Sequence, residues 1–163
     1  MIGELDTSLL VTPSVLLKRG KMKNILFVCK HNRFRSRIAE EYFKKIKSNK
    51  NINVDSAGII MSNSPLEKLQ VNVSEDFGIK IRVKSKALSV NLIKKQDLII
   101  IVADDVPKIL FNSKAYIDFK KTKIIQWKIS DDPGGTNYDK MRKIIKLIMK
   151  KVDKLNKELE KEK

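Results

Sequence analysis

The chain has 163 residues, enough for one core-forming domain, with a single cysteine, a single histidine and a formal net charge of +16. One cysteine excludes a disulfide scaffold and points to a reducing, cytoplasmic setting. The positive charge is carried mostly by lysine and steers anions in general, but no aromatic residues interleave with it as in nucleic-acid binders, so solvated helix faces are the expected role and nucleic acid is not an expected partner.

Residues 1–21 hold two apolar clusters, Leu9-Leu10-Val11 and Val15-Leu16-Leu17, split by Thr12-Pro13-Ser14. Each is too short to span a membrane, and Glu4 and Asp6 ahead of them are unlike a basic signal-peptide start. The stretch reads as an N-terminal arm or a mis-assigned start, with one domain over 22–163 and no membrane attachment expected. A first strand is predicted over 24–29 and a helix over 36–48, with Ile38, Ala39, Tyr42, Phe43 and Ile46 on its apolar stripe. A second strand follows over 52–56. Ser64-Pro65 reads as the start of the next helix, with serine as cap, and Gly78 as its end. A short strand-like piece leads to a helix after Ser89. The apolar run 97–103 predicts a strand buried on both faces. Asp104-Asp105 then read as helix caps rather than a metal pair, and a short helix is expected after Asp104. A fourth strand spans 123–127. The last helix, 137–160, carries Met141, Ile144, Ile145, Ile148, Val152, Leu155 and Leu159 on one stripe. Such alternation predicts an α/β domain with a parallel sheet, right-handed crossovers and a site at the carboxyl ends of the strands.

The chemistry concentrates where strand one meets its helix, in Cys29-Lys30-His31-Asn32-Arg33-Phe34-Arg35-Ser36. A loop that wraps back on a helix N-terminus turns main-chain N–H groups inward, and with the helix dipole these favour a tetrahedral anion. A thiol beneath the same donors is favoured as thiolate, the nucleophilic form. Arg35 offers a planar fork for two oxygens of such an anion. Ser36 stands where it can cap N–H groups or donate to the sulfur, and Asn32 tolerates the left-handed backbone a tight loop needs. His31, two residues from Cys29, reads as a loop-shaping residue. One histidine and one cysteine are too few for a zinc site without carboxylates, so neither metal nor cofactor is expected.

The spacing Cys29, Asn32, Arg35, Ser36 resembles the signature of low-molecular-weight protein-tyrosine-phosphatases and of the related thioredoxin-coupled arsenate reductases. Further landmarks follow in the family's order: Val54-Asp55-Ser56-Ala57-Gly58, then Gly78-Ile79 with Ser85-Lys86-Ala87-Leu88, then Asp97 to Val102, then Trp127-Lys128-Ile129-Ser130-Asp131-Asp132-Pro133. The resemblance implies a three-layer αβα fold with a four-stranded parallel sheet of order 2-1-3-4, of the phosphotyrosine protein phosphatase I type. It also implies catalytic roles for Cys29 as nucleophile, Arg35 as anion clamp and Asp132 as general acid. Lys30, His31, Asn32, Arg33, Phe34 and Ser36 would complete the oxyanion loop. Asp132 is chosen over Asp131 because the family's acid directly precedes the proline.

Two departures from the family pattern bear on activity. With no second cysteine, an internal disulfide relay of the reductase kind has no resolving thiol, so reduction would need an external one. Gly134-Gly135 replace the aromatic pair that walls a phenol slot in tyrosine-directed members; Trp127 and Tyr138 could stand in, or be core and surface. The expected function is therefore phosphomonoester hydrolysis through a phosphocysteine. The alternatives are arsenate reduction with an external thiol, or an oxyanion- or phosphoprotein-binding module without chemistry. The expected partner is a phosphorylated protein, a small phosphoester, or another tetrahedral oxyanion such as phosphate or arsenate.

Overall fold

In the computed structural model, the described residues are 23–162 apart from 63, 65, 82–83, 113–121 and 133. The arm over 1–21 lies outside them, as do Pro65 and Pro133. Four strands, β1 (Lys23–Cys29), β2 (Ile52–Gly58), β3 (Leu98–Val102) and β4 (Lys123–Trp127), form one all-parallel sheet in the order β2-β1-β3-β4. The helices are α1 (Arg35–Ile46), α2 (Lys68–Asp76), α3 (Val90–Lys94) and α4 (Tyr138–Glu160), with a 3-10 turn at Lys108–Phe111.

Alternation along β1 explains the three layers. Ile25 and Phe27 join one apolar cluster with Phe43 of α1 and Met141, Ile145, Ile148 and Val152 of α4. Leu26 and Val28 point the other way and join Ile93, Val106 and Phe111. Both faces of β1 and β3 are thus covered, which is why β3 reads as an unbroken Leu-Ile-Ile-Ile-Val run with every residue buried. Burying each such side chain stabilises the fold by roughly 1.5–3 kcal/mol. Trp127 belongs to this core: its ring centroid lies 5.8 Å from that of Phe27. No helix among the described residues is long and apolar enough to cross a membrane.

Two local expectations are corrected. The helix expected at Ser64-Pro65 begins at Lys68, because Glu67 and Gln70 close a reciprocal capping box that satisfies the first N–H groups there. Asp104 and Asp105 cap no helix: the 3-10 turn starts later, after Pro107, and both carboxylates turn to Arg35.

The register then fixes the site. Cys29, the last residue of β1, stands opposite Gly58, the last of β2. A Cβ on Gly58 would come within 2.6 Å of the carbonyl carbon of His31 and 2.7 Å of the amide nitrogen of Asn32, so only glycine lets the loop after β1 lie against the end of β2.

Candidate active site

The loop 30–34 turns from β1 into α1 through Asn32, the one non-glycine with positive φ (53°) among the described residues. Its side chain makes that conformation rigid. The Asn32 amide donates to Ser36 Oγ and to Ser56 Oγ, both at 2.8 Å, while its oxygen accepts from the Lys86 main chain at 2.8 Å. Asn32, Ser36 and Ser56 are fully buried. Ser56 Oγ in turn donates to Glu40 of α1, and Glu40, itself 1% exposed, pairs with Lys44 one turn on. Burial works to lower the Lys44 ammonium, but its hydrogen bond to Glu40 and the nearby acidic charges outweigh that and leave it raised.

Cys29 Sγ lies 3.0 Å from Ser36 Oγ. Ser36 sits inside the first turn of α1 and caps nothing; Phe34 holds the cap position without a side-chain hydrogen bond. Among the described residues none accepts from the main-chain N–H of His31, Asn32, Phe34, Arg35 or Ser36. A loop with several unclaimed donors opening a helix is an anion nest.

Arg35 is 1% exposed and held from four sides. Its Nη1 donates to the Ile129 carbonyl at 2.9 Å and lies 3.7 Å from Asp104 Oδ1. Its Nη2 reaches Asp105 Oδ1 at 3.0 Å and Asp131 Oδ2 at 3.4 Å. A buried guanidinium demands such partners. The three acids balance the guanidinium charge where it is buried.

Cys29, His31, Arg33, Phe34, Arg35, Asp131 and Asp132 share one cavity of about 50 Å³ with Gln70. Typical small-molecule pockets run to roughly 300–1,000 Å³, so this one holds a headgroup rather than a whole ligand. Two wider depressions, of about 430 and 490 Å³, contain neither Cys29 nor Arg35. Asp132 Oδ2 accepts from the Asn137 main chain at 2.9 Å and Asp132 N–H donates to Asp131 Oδ1 at 2.9 Å, so this loop is tied mainly to itself.

The sequence-predicted residues thus gather closely. Lys30 is set apart, its carbonyl accepting from Ile60 N–H at 2.9 Å and its side chain outside the cavity. Trp127 is core, and Tyr138 is 39% exposed with its hydroxyl on Asp76, so neither walls the cavity. Asp104, Asp105, Gln70, Ser56 and Glu40 were not singled out as site residues. Glu40 gives no signal in the sequence, since it reads as part of the polar face of α1, yet it is buried beside Ala39 and Phe43. No group of three or more His, Cys, Asp or Glu among the described residues is arranged to hold a metal.

Residues 24–163 match the sequence family described as low molecular weight phosphotyrosine protein phosphatase. No curated protein matches the chain significantly by sequence. Among solved structures, a low molecular weight protein tyrosine phosphatase from T. tengcongensis is 26% identical with a TM-score of 0.66, over 82% of this chain and 97% of that one. The YwlE arginine phosphatase, solved as a cysteine-to-serine variant with a phosphorylated active-site serine, is 25% identical with a TM-score of 0.69, over 86% and 97%. The thioredoxin-dependent arsenate reductase Cg_ArsC1' of Corynebacterium glutamicum shares the fold at 21% identity and a TM-score of 0.66, over 90% of this chain and 66% of that one. With its sheet order, its cysteine-to-arginine loop and a family match over nearly all described residues, the chain belongs to the low molecular weight phosphotyrosine protein phosphatase family.

Proposed function

We propose that the protein is a phosphomonoester hydrolase that works through a phosphocysteine. The observation that carries this reading is the placement of Cys29 Sγ against Ser36 Oγ, in the same small cavity as Arg35 and the Asp131-Asp132 pair. The phosphoryl group enters the nest, its oxygens taken by main-chain N–H groups of the loop and by the Arg35 guanidinium. The Cys29 thiolate attacks phosphorus. A sulfur–phosphorus bond forms as the bond from phosphorus to the ester oxygen breaks, and the Asp132 carboxyl gives its proton to that departing oxygen. Water then attacks phosphorus and gives a proton to the Asp132 carboxylate. The sulfur–phosphorus bond breaks, and phosphate leaves the regenerated thiolate.

The phosphorylated active-site serine of the cysteine-to-serine YwlE variant supports a reading with a covalent phosphoryl step. Asp131 and Asp132 line the cavity with Arg33 and Arg35, and the aromatic ring there is Phe34 rather than Trp127 or Tyr138. The test is turnover of p-nitrophenyl phosphate by the wild type, Cys29→Ser and Asp132→Asn, with arsenate reduction by an added thiol run in parallel. Hydrolysis lost in Cys29→Ser supports the reading. Arsenate reduction without hydrolysis, or anion binding with no turnover at all, overturns it.

A further inference from the structure

Away from Cys29, α4 carries a row of like charge. Lys146, Lys150, Lys154 and Lys157 recur about one turn apart and line a groove of about 490 Å³ whose apolar side is Phe77 and Met149. All four lysines are exposed, and none of their ammonium groups has an ion-pair or hydrogen-bond partner among the described residues. Elsewhere the chain pairs its helical cations at this spacing, as Lys44 with Glu40 and Glu41 on α1. On α4 the steps from Lys146 to Lys150 and from Lys150 to Lys154 carry like charges, which repel, while Asp153 and Glu158 fall one turn from Lys157 and Lys154 without an ion pair to either. The one acid in the groove, Asp153, already accepts from the Tyr42 hydroxyl at 2.8 Å.

The row is connected to the site. α4 begins directly after the loop that holds Asp132, and Arg142, one turn before Lys146, extends the positive line toward it. α2 carries Gln70 in the catalytic cavity, and its C-cap Phe77 lies in the groove, a helical distance of about 10 Å.

We propose that this row is a docking track for an acidic segment of a protein substrate, laid along α4 while the phosphorylated side chain reaches Cys29. What the track delivers rests on the phosphatase reading; that it binds acidic chains does not. Lysines one turn apart rise about 6 Å, close to the spacing of roughly 6.6 Å between alternate side chains of an extended peptide, so every second acidic residue meets the next lysine. Single-stranded nucleic acid binds through cations together with open aromatic faces. Here the guanidinium of Arg142 lies 5.0 Å over the Phe77 ring and 5.6 Å over the Tyr138 ring, so one face of each is already taken.

The full-length chain is titrated with fluorescein-labelled decaglutamate and, separately, with a labelled ten-residue thymidine oligonucleotide. The same is done for the variant Lys146→Glu, Lys150→Glu, Lys154→Glu, Lys157→Glu and for the milder pair Lys150→Gln, Lys154→Gln. The wild type should bind decaglutamate more tightly than the oligonucleotide. The fourfold variant should weaken decaglutamate binding at least about tenfold and the pair about threefold, both effects shrinking with added salt. Turnover of p-nitrophenyl phosphate should not change in either. No decaglutamate binding, equal binding by both variants, or tighter binding of the oligonucleotide would overturn the proposal. A wild type that binds decaglutamate through these lysines yet hydrolyses no phosphoester leaves the track standing and sinks the phosphatase reading instead.

Discussion

The loop after β1 and the loop after β4 meet at the same cavity but are built differently. The first is welded into the core. Asn32, Ser36, Ser56 and Glu40 form a buried chain of hydrogen bonds that spans α1, β2 and the segment at Lys86, and Gly58 lets the whole loop close against β2. The second holds itself by short-range bonds: Asp132 to Asn137, Asp132 to Asp131, and Gly135 N–H to the Asp132 carbonyl at 2.9 Å. Its long-range ties lie at its start, where the Ile129 carbonyl accepts from Arg35 Nη1 and Asp104 N–H, and at Asp131, which pairs with Arg35; Asp132 has none among the described residues. On the proposed reading, Cys29 and the main-chain donors of its loop are held in place, whereas Asp132, tied only to its own loop, can move with it. This division suits chemistry in which charge must be met by fixed dipoles while leaving groups of different size come and go.

Substitutions that break the comparison should do so in order of size. Cys29→Ser should abolish hydrolysis of p-nitrophenyl phosphate while leaving the melting temperature within a few degrees, since serine fills the same space. Asp132→Asn should lower kcat by about 10²–10⁴-fold, the usual worth of a general acid. Its deficit should grow as the leaving group becomes more basic, and phosphate affinity should hold. Arg35→Lys should cost about 10²–10³-fold in kcat/KM and also destabilise the fold, because three carboxylates and the Ile129 carbonyl lose the fork that satisfies them. The stability loss, seen by denaturant titration, separates it from Asp132→Asn.

Smaller effects sharpen the account of rigidity. Gly58→Ala should raise the Kd for inorganic phosphate and cost about 1–3 kcal/mol of stability, because the new Cβ meets backbone rather than a side chain that can swing away. Tyr42→Phe, remote from the cavity, should cost about 1 kcal/mol and leave kcat unchanged. Burial, then the hydrogen bond and charge of Asp153, push the Tyr42 phenol from 10.0 up to about 12. Its pKa is raised in the fold, so its contribution is complete below pH 10 and is lost as pH rises toward 12. The wild-type advantage over Tyr42→Phe should fade across that window.

Much of the fold was legible because its signals are local. The apolar run of β3, the stripe on α4 and the strand-loop-helix order around Cys29 each sit within one short stretch. The site was legible in the same degree: seven of its cavity residues lie in the stretch from Cys29 to Arg35 or at Asp131 and Asp132. What could not be read are contacts set by topology. Asp105 reaches Arg35 from 70 residues away, because β3 neighbours β1, and a pair of aspartates after a strand reads equally well as a helix cap. Glu40 looks like the polar side of an amphipathic helix until β2 brings Ser56 against it. The α2 start was misplaced because Ser64-Pro65 is a good local cap, yet Glu67 with Gln70 makes two reciprocal bonds where Ser64 would make one.

The most direct measurement mixes Asp132→Asn with p-nitrophenyl phosphate, quenches in acid, and locates any added phosphoryl group by peptide mass spectrometry. One phosphoryl group on the peptide containing Cys29, absent from Cys29→Ser, is the predicted result. Continued hydrolysis by Cys29→Ser, or turnover with the phosphoryl group on another residue, would contradict it.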